Sequence, residues 1–179
     1  LFNINGEGNT IIDNAFKNNK ATIDGGAIYL SNGNGEEIKN NIFINNSASR
    51  HGGAINLNQT GVSIFKNNTF IANTASNMGG AARIIISNSY GKTTISNNKL
   101  KDNTAGNGGA LHIAGSNVEI SANEFDNNRA ASGSAGSIHV NGDNVGILNN
   151  NITKSYAEKN GGAIVVKAGT SIKIQSNNI

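Results

Sequence analysis

Residues 16–28 read FKNNKATIDGGAI, and residues 43–55 read FINNSASRHGGAI. The two stretches share a Phe, an Asn three positions after it, an Ala five positions after it, and then Gly-Gly-Ala-Ile. An apolar anchor returns at the position of that Phe along the whole chain, at Phe16, Phe43, Phe70, Leu100, Phe125, Ile152 and Ile179. The spacings are 27, 27, 30, 25, 27 and 27 residues, so one unit is repeated along the chain.

Each unit contains three short segments that alternate like half-buried strands. One segment follows the Gly pair, as at Ile28 and Leu30, one lies five residues before the anchor, as at Ile38, and one is the anchor Phe43 itself. No unit carries the 3.6-residue apolar stripe of a helix. Three strands and three turns in about 27 residues predict one coil of an all-β, right-handed parallel β-helix of about six coils.

An Asn stands two positions before every anchor, at Asn14, Asn41, Asn68, Asn98, Asn123, Asn150 and Asn177. In a β-helix, equivalent residues of successive coils stack about 4.8 Å apart. Parity places these Asn side chains on the same side of the strand as the anchor, so we predict an inward ladder of paired amides. The Asn three positions after the anchor predicts a second ladder. The Gly pair predicts a corner with a positive φ or a close backbone approach.

Composition limits the classes of function. The chain has 23 Gly, no Pro, no Cys and a formal net charge of +3. Its basic residues are scattered and form no continuous stripe, so nucleic-acid binding is not expected. No apolar run approaches the roughly 20 residues of a membrane span, so we do not expect this segment to insert into a membrane.

We expect residues 1–179 to form a single β-helix domain that is a fragment of a longer solenoid. The chain starts at Leu1 with what resembles the tail of a strand and stops on the anchor Ile179. Such end coils would be uncapped. We expect a monomer, and the uncapped coils make end-to-end association the alternative.

A set of residues alternates with the inward apolar positions that follow the Gly pair, and we expect it to face solvent. Its members are Tyr29, Asn56, Arg83, His112 and His139. They predict a ligand-contact face for glycans or extended peptides, with an ordinary solvated sheet face as the alternative. His112 and His139 would stack, but no third ligand aligns with them, so neither a metal nor another cofactor is expected.

A three-residue excess occurs around residues 87–92, between two otherwise regular units. It contains Tyr90. Insertions in solenoids map to loops on one face, and these loops often carry function. We therefore predict a protruding loop here that presents Tyr90.

An enzyme that cleaves acidic polysaccharides is the main alternative to a binding module. That chemistry needs clustered carboxylates. The chain has only 11 acidic residues, and the pairs Asp102 with Asp126 and Glu36 with Glu37 are interpreted as solvated loop carboxylates. We therefore expect no catalytic residues and no enzymatic activity.

The combination Phe-x-x-Asn-x-Ala followed by Gly-Gly-Ala-Ile resembles the repeats of chlamydial polymorphic outer-membrane proteins. It is similar also to repeats of adhesin-like surface proteins of methanogenic archaea. The resemblance implies a cell-surface or secreted β-helical passenger that attaches to a glycan or protein of a host or partner cell. Leu100 and Ile152 replace Phe, and Ala135 replaces the first Gly of the fifth pair. A passive structural stalk stays open as a third interpretation.

Overall fold

The structure is a computed structural model that describes residues 2–59, 61–87 and 91–179. Within those ranges the chain is all-β, and its strands form four parallel sheets. In each sheet, neighbouring strands come from successive units of the sequence. The predicted parallel β-solenoid of about six coils is therefore confirmed.

The first sheet contains β1 (Phe2–Glu7), β5 (Ile28–Asn34), β9 (Ile55–Gln59), β13 (Ala82–Ile86), β17 (Leu111–Ala114), β21 (Ile138–Asn141) and β25 (Ile164–Ala168). The second contains β2 (Thr10–Ile12), β6 (Glu37–Lys39), β10 (Ile64–Lys66), β14 (Thr93–Ser96), β18 (Val118–Ser121), β22 (Val145–Leu148) and β26 (Lys173–Gln175). The third contains β3 (Ala15–Lys17), β7 (Ile42–Ile44), β11 (Thr69–Ile71), β15 (Lys99–Lys101), β19 (Glu124–Asp126) and β23 (Asn151–Thr153). The fourth contains β4 (Lys20–Ala21), β8 (Ser47–Ala48), β12 (Thr74–Ala75), β16 (Thr104–Ala105), β20 (Arg129–Ala130) and β24 (Tyr156–Ala157).

The first three sheets are the three predicted segments of each coil, and the fourth sheet was not predicted. Its strands are two residues long, and each ends on the Ala that lies five positions after the anchor. A segment of two residues cannot display a period of two, so its sequence carried no strand signal.

The interior is a set of stacked, like side chains. Phe16, Phe43 and Phe70 lie one above another with ring centroids 4.9 and 4.8 Å apart and nearly parallel planes. Leu100 and Phe125 continue this row in register and are fully buried. Because neighbouring coils place similar apolar residues at the anchor position, these side chains pack in the same way from coil to coil.

The seven Asn residues before the anchors form a continuous amide ladder at the corner between the second and third sheets. Asn68 is typical. Its Oδ1 accepts from the backbone N–H and from Nδ2 of Asn41, at 3.0 and 3.2 Å. Its own Nδ2 donates to Oδ1 of Asn98 at 3.0 Å and to the carbonyl of Ile38 at 2.8 Å. Both amide hydrogens and the amide oxygen are therefore used, which offsets the cost of burial.

A second amide ladder lies three positions after the anchors, at the next corner. Asn73 donates through Nδ2 to Oδ1 of Asn103 and to the carbonyl of Phe43, both at 3.0 Å. The ladder runs from Asn19 to Asn128 and ends where the sixth unit has Ser155, whose hydroxyl pairs instead with that of Ser137 at 2.6 Å.

The residue before each ladder Asn adopts a left-handed backbone. Asn40, Asn67 and Asn97 have φ values of 56°, 57° and 56°. Asn tolerates this region better than most residues that have a Cβ. The frequent Asn-Asn pairs of the sequence therefore combine a turn residue with a ladder residue, which explains much of the high Asn content.

The Gly pairs form the corner before the first sheet and use both predicted properties of glycine. Gly108 has a φ of 59°, and a Cβ on Gly109 would lie 2.2 Å from the carbonyl oxygen of Gly136. The first position thus needs a left-handed backbone and the second a close approach between coils. Ala135 keeps the first conformation in the fifth unit, with a φ of 65°.

Candidate functional site

The outward residues of the first sheet stack in register, as the sequence predicts. Backbone pairing joins Tyr29 to Asn56, Asn56 to Arg83, Arg83 to His112, and His112 to His139. We call these five residues the outer column. The rings of its two histidines lie 4.8 Å apart with an angle of 9° between their planes.

The expectation that this column faces solvent is wrong for Asn56, His112 and His139, which are 2%, 6% and 8% exposed. Tyr29 and Arg83 are half-buried. The cause is the neighbouring Gly corner, which folds over the outer side of the sheet. A Cβ placed on Gly108 would lie 3.2 Å from Cβ of His139. Alternation identified the outward side correctly but could not show that backbone covers it.

A second row of residues lies along this covered face, immediately before the Gly pairs. Isolated parallel bridges join Asp24, His51, Met78 and Asn107 in sequence. Sequence reasoning did not select these residues, although their constant position before each Gly pair was available as a signal. The outer face of the first sheet is therefore flanked by a second row, which is polar except for Met78.

A cleft of about 240 Å³ opens between these rows toward the end of the chain. Its lining consists of Met78, Arg83, Asn107, His112, His139, Asn141 and Lys167. We call this the outer cleft. Asn141 and Lys167 are exposed and form its rim. Both lie two residues after the outer-column position of their unit, so strand parity could have identified them.

The outer cleft has an excess of positive charge. It contains the guanidinium of Arg83 and the ammonium of Lys167, and none of the described residues that line it is acidic. The nearby carboxylate of Asp24 is already engaged, because Nε of Arg50 donates to it at 3.0 Å and the backbone N–H of His51 at 3.1 Å. Although burial alone would raise the pKa of Asp24, the hydrogen bond and charge of Arg50 hold it below its usual value.

The imidazoles of the cleft are neutral near pH 7. Burial, followed by the charges of His139, Arg83 and His51, lowers the pKa of His112 to about 3. Burial and the ammonium of Lys167 lower the pKa of His139. Burial likewise lowers the pKa of the Arg83 guanidinium. The cleft thus combines two cations with two uncharged rings.

Several buried nitrogens here lack a hydrogen-bond partner in the part of the chain that the structure describes. They are Nδ1 of His51, His112 and His139, and Nε of Arg83. Buried polar atoms without partners are rare in folded proteins and call for an explanation. All four lie on the same face of the solenoid, three of them in residues that line the outer cleft.

The carboxylate pairs considered for catalysis are not free. Asp126 contacts Nζ of Lys101 at 3.2 Å, and Oδ1 of Asp102 accepts from Nδ2 of Asn127 at 2.7 Å. Glu36 is buried rather than solvated, and its carboxylate accepts from the hydroxyl of Ser63 at 3.0 Å. Glu37 pairs with Lys39 at 3.0 Å.

A metal does not suit these residues. Within the described ranges, no group of three or more His, Cys, Asp or Glu side chains is placed to hold an ion. The two histidine rings are also nearly parallel, so their lone pairs do not converge on one point. Tyr90, the predicted loop residue, lies outside the described residues. Among the residues that the structure describes, we find no helix with the length and hydrophobicity of a membrane span.

The fold and this site define a parallel β-solenoid with a cationic cleft on its outer face. Residues 15–31 and 42–58 match the model of the Chlamydia polymorphic membrane protein (Chlamydia_PMP) repeat family. These two units are similar to that repeat, and the resemblance indicated by the sequence motif is confirmed. Neither a curated protein nor a solved structure matches the chain. Repeat and fold together support a surface or outer-membrane protein passenger.

Proposed function

We propose that this solenoid is an adhesin-type passenger segment, displayed on a cell surface, that attaches the cell to a host or partner cell. The polymorphic membrane protein repeats support the display of the segment at a surface. The observation that carries the attachment role is the outer cleft, with its two cations and its unpartnered buried nitrogens.

The stalk interpretation explains less of this geometry. A passive repeat gains stability when every buried polar group is paired, as in the amide ladders. Leaving a buried donor or acceptor unsatisfied costs about 1 to 3 kcal/mol. Side chains that carry such atoms and line a cleft are better explained by a role in binding, in which a ligand contacts their remaining nitrogens.

The enzyme interpretation also fits less well. The carboxylates considered above are each held by a basic or polar neighbour on the solenoid surface or in its interior. General acid and base catalysis by such a pair would require two carboxyl groups that flank one substrate bond. The outer cleft offers cations and neutral imidazoles instead, which suit recognition of a ligand.

The test is a cell-attachment assay with beads that carry many copies of the chain, because multivalent display makes weak single sites measurable. Beads coated with the wild-type chain should bind at least one cell type in a panel of host and partner cells, as counted by flow cytometry. The Arg83→Ala, Lys167→Ala double variant should lose most of this binding.

The matched control is the Lys17→Ala, Lys99→Ala double variant. It also removes two positive charges, but from exposed positions of the third sheet, where Lys99 pairs with Glu124 at 3.4 Å. Attachment that is equal for the cleft double variant and the control would refute a role for the cleft. Wild-type beads that bind no cell above the level of uncoated beads would favour the stalk.

A further inference from the structure

We propose that the outer cleft binds an acidic oligosaccharide, with its carboxylate or sulfate groups at Arg83 and Lys167 and its hydroxyls at the two histidines. This inference rests on the proposed attachment function and specifies the chemistry of the ligand.

The arrangement of charge along the cleft is the first reason. Arg83, His112 and His139 lie on the successive strands β13, β17 and β21, and Lys167 lies on the next strand, β25. Three strand spacings amount to about 14 Å along the axis. The cations therefore stand at the two ends of the cleft and the neutral rings between them, which matches a ligand with separated negative charges and uncharged polar groups in between.

The hydrogen-bonding capacity of the rings is the second reason. Nδ1 of each ring is buried without a partner among the described residues. An orphaned buried N–H is rarer than an orphaned acceptor, so the single proton of each neutral ring is assigned to Nε2. Nε2–H at the end of each ring can then donate to a sugar hydroxyl or ring oxygen, as can the amides of Asn107 and Asn141.

The shape and polarity of the cleft are the third reason. Its volume of about 240 Å³ lies below the roughly 300 to 1,000 Å³ of sites that enclose a drug-sized ligand. An exposed rim at Asn141 and Lys167 leaves room for a chain that continues past it. Met78 supplies an apolar wall for the C–H face of a sugar ring.

A second cleft of about 260 Å³ on the solenoid provides a contrast. It is lined by residues of the second sheet and of the adjoining loops, including Lys92, Glu119 and Lys173. There, Lys92 pairs with Glu119 at 3.0 Å, and no buried side-chain atom among its described lining residues lacks a partner. Its charges are largely neutralised within the protein, so it has less need of an anionic ligand.

The experiment titrates the 179-residue chain with four matched oligosaccharides by isothermal calorimetry. One alternates a hexuronate with an N-acetylhexosamine, the second is its sulfated form, the third is the sulfated form with the carboxyl reduced to an alcohol, and the fourth is the unsulfated, carboxyl-reduced neutral chain. We expect each acidic ligand that binds to do so at least tenfold more tightly than the neutral chain. Binding of the first identifies carboxylate as the recognised group. Binding of only the second and third identifies sulfate.

Variants test the placement of the ligand. Arg83→Ala and Lys167→Ala should each weaken binding about tenfold, whereas Lys167→Arg should retain it. Lys173→Ala, in the second cleft, is the matched control and should bind like the wild-type chain. Lys167 is exposed, so its substitution leaves the fold intact even if Arg83→Ala impairs folding.

Three results would overturn the inference: equal affinity for acidic and neutral oligosaccharides, equal losses for Lys167→Ala and Lys173→Ala, or binding of an acidic peptide in preference to every oligosaccharide. Cell attachment that persists after such a result would leave the proposed function standing with a protein ligand. Conversely, tight binding followed by cleavage of the uronate chain would support the cleft's ligand and refute the adhesin function.

Discussion

The amide ladder before the anchors and the outer column both run along the solenoid axis, and they solve the problem of burying polar side chains differently. In the amide ladder, Asn68 and Asn98 are nearly inaccessible to solvent, and each donates to the coils on both sides. In the outer column, His112 and His139 are similarly buried and in similar register, yet Nδ1 of each ring has no partner among the described residues. Both columns stack regularly, but only the amide ladder satisfies the hydrogen-bonding capacity of its side chains.

The chemistry of the side chains explains the difference. A primary amide has a donor and an acceptor that can point in opposite directions along the axis, so identical amides complement each other. Imidazoles stacked face to face direct their nitrogens sideways and cannot bond to each other. A repeated Asn therefore stabilises a solenoid, while a repeated His leaves hydrogen-bonding capacity for something else. The role of a buried column is therefore best assigned from its unpaired atoms.

The largest expected effect is the loss of a ladder amide. Asn98→Leu removes the acceptor of the Asn68 backbone N–H at 2.8 Å and of its Nδ2 at 3.0 Å, and also the donor to Oδ1 of Asn123. We expect a loss of about 3 to 5 kcal/mol in the free energy of unfolding, measured by urea denaturation. Asn14→Leu, at an exposed rung of the same ladder, is the control and should cost much less. Equal losses would show that burial of the amide does not matter.

A smaller effect should come from the titration of His112. Its folded pKa is about 3, against roughly 6.5 in an unfolded chain, so the unfolded state binds more protons between these values and stability falls as the pH drops through this window. From pH 7 to pH 5 this group alone should remove about 2 kcal/mol from the free energy of unfolding.

Urea denaturation of the wild-type chain and of His112→Phe at pH 7 and pH 5 measures this term. The wild-type chain should lose more stability on acidification than the variant does. His139 is present in both proteins, so its titration contributes to both. An identical loss of stability in both proteins would show that burial does not lower the pKa of His112.

The smallest effect concerns the turn residue before the ladder. Ala122 has a φ of 54°, whereas the equivalent residues of the neighbouring coils are Asn97 and Asn149. Because Asn tolerates the left-handed region better than Ala, Ala122→Asn should raise the free energy of unfolding by about 0.5 to 1 kcal/mol. Ala131→Asn, at an exposed position without a positive φ, is the control and should change little. A destabilised Ala122→Asn would argue against a backbone origin for the Asn preference.

The sequence predicted those features of the molecule that recur in every coil. The anchors, the Asn two positions before them and the alternation after the Gly pairs were enough to place three sheets and the membership of both columns. The two-residue strands, such as Lys20–Ala21, were too short to show a pattern. The Asn-Asn pairs contained a turn signal, but the sequence pattern did not distinguish the first Asn, which forms the turn, from the second, which forms the ladder.

The outer cleft could be predicted only in part. Arg83, His112 and His139 were selected because they alternate with inward residues, and the structure brings them together. Their burial depends on how the Gly corner folds over the sheet, which is a contact between segments rather than a local pattern. Lys167 and Met78 each carry a positional signal, strand parity and the position before the Gly pair, but no local pattern shows that they line the same cleft. One-dimensional periodicity therefore located the face of the site but not its depth or its full lining.

The most direct test of the distinction between the two columns is the free energy of unfolding of His112→Phe at pH 7, measured by urea denaturation. Phe has a similar shape and no nitrogen to leave unpaired, so the expected result is a stability equal to or above that of the wild-type chain. A loss of more than about 1 kcal/mol, approaching the range expected for Asn98→Leu, would contradict it, because it would show that the histidine column supports the fold as the amide ladder does.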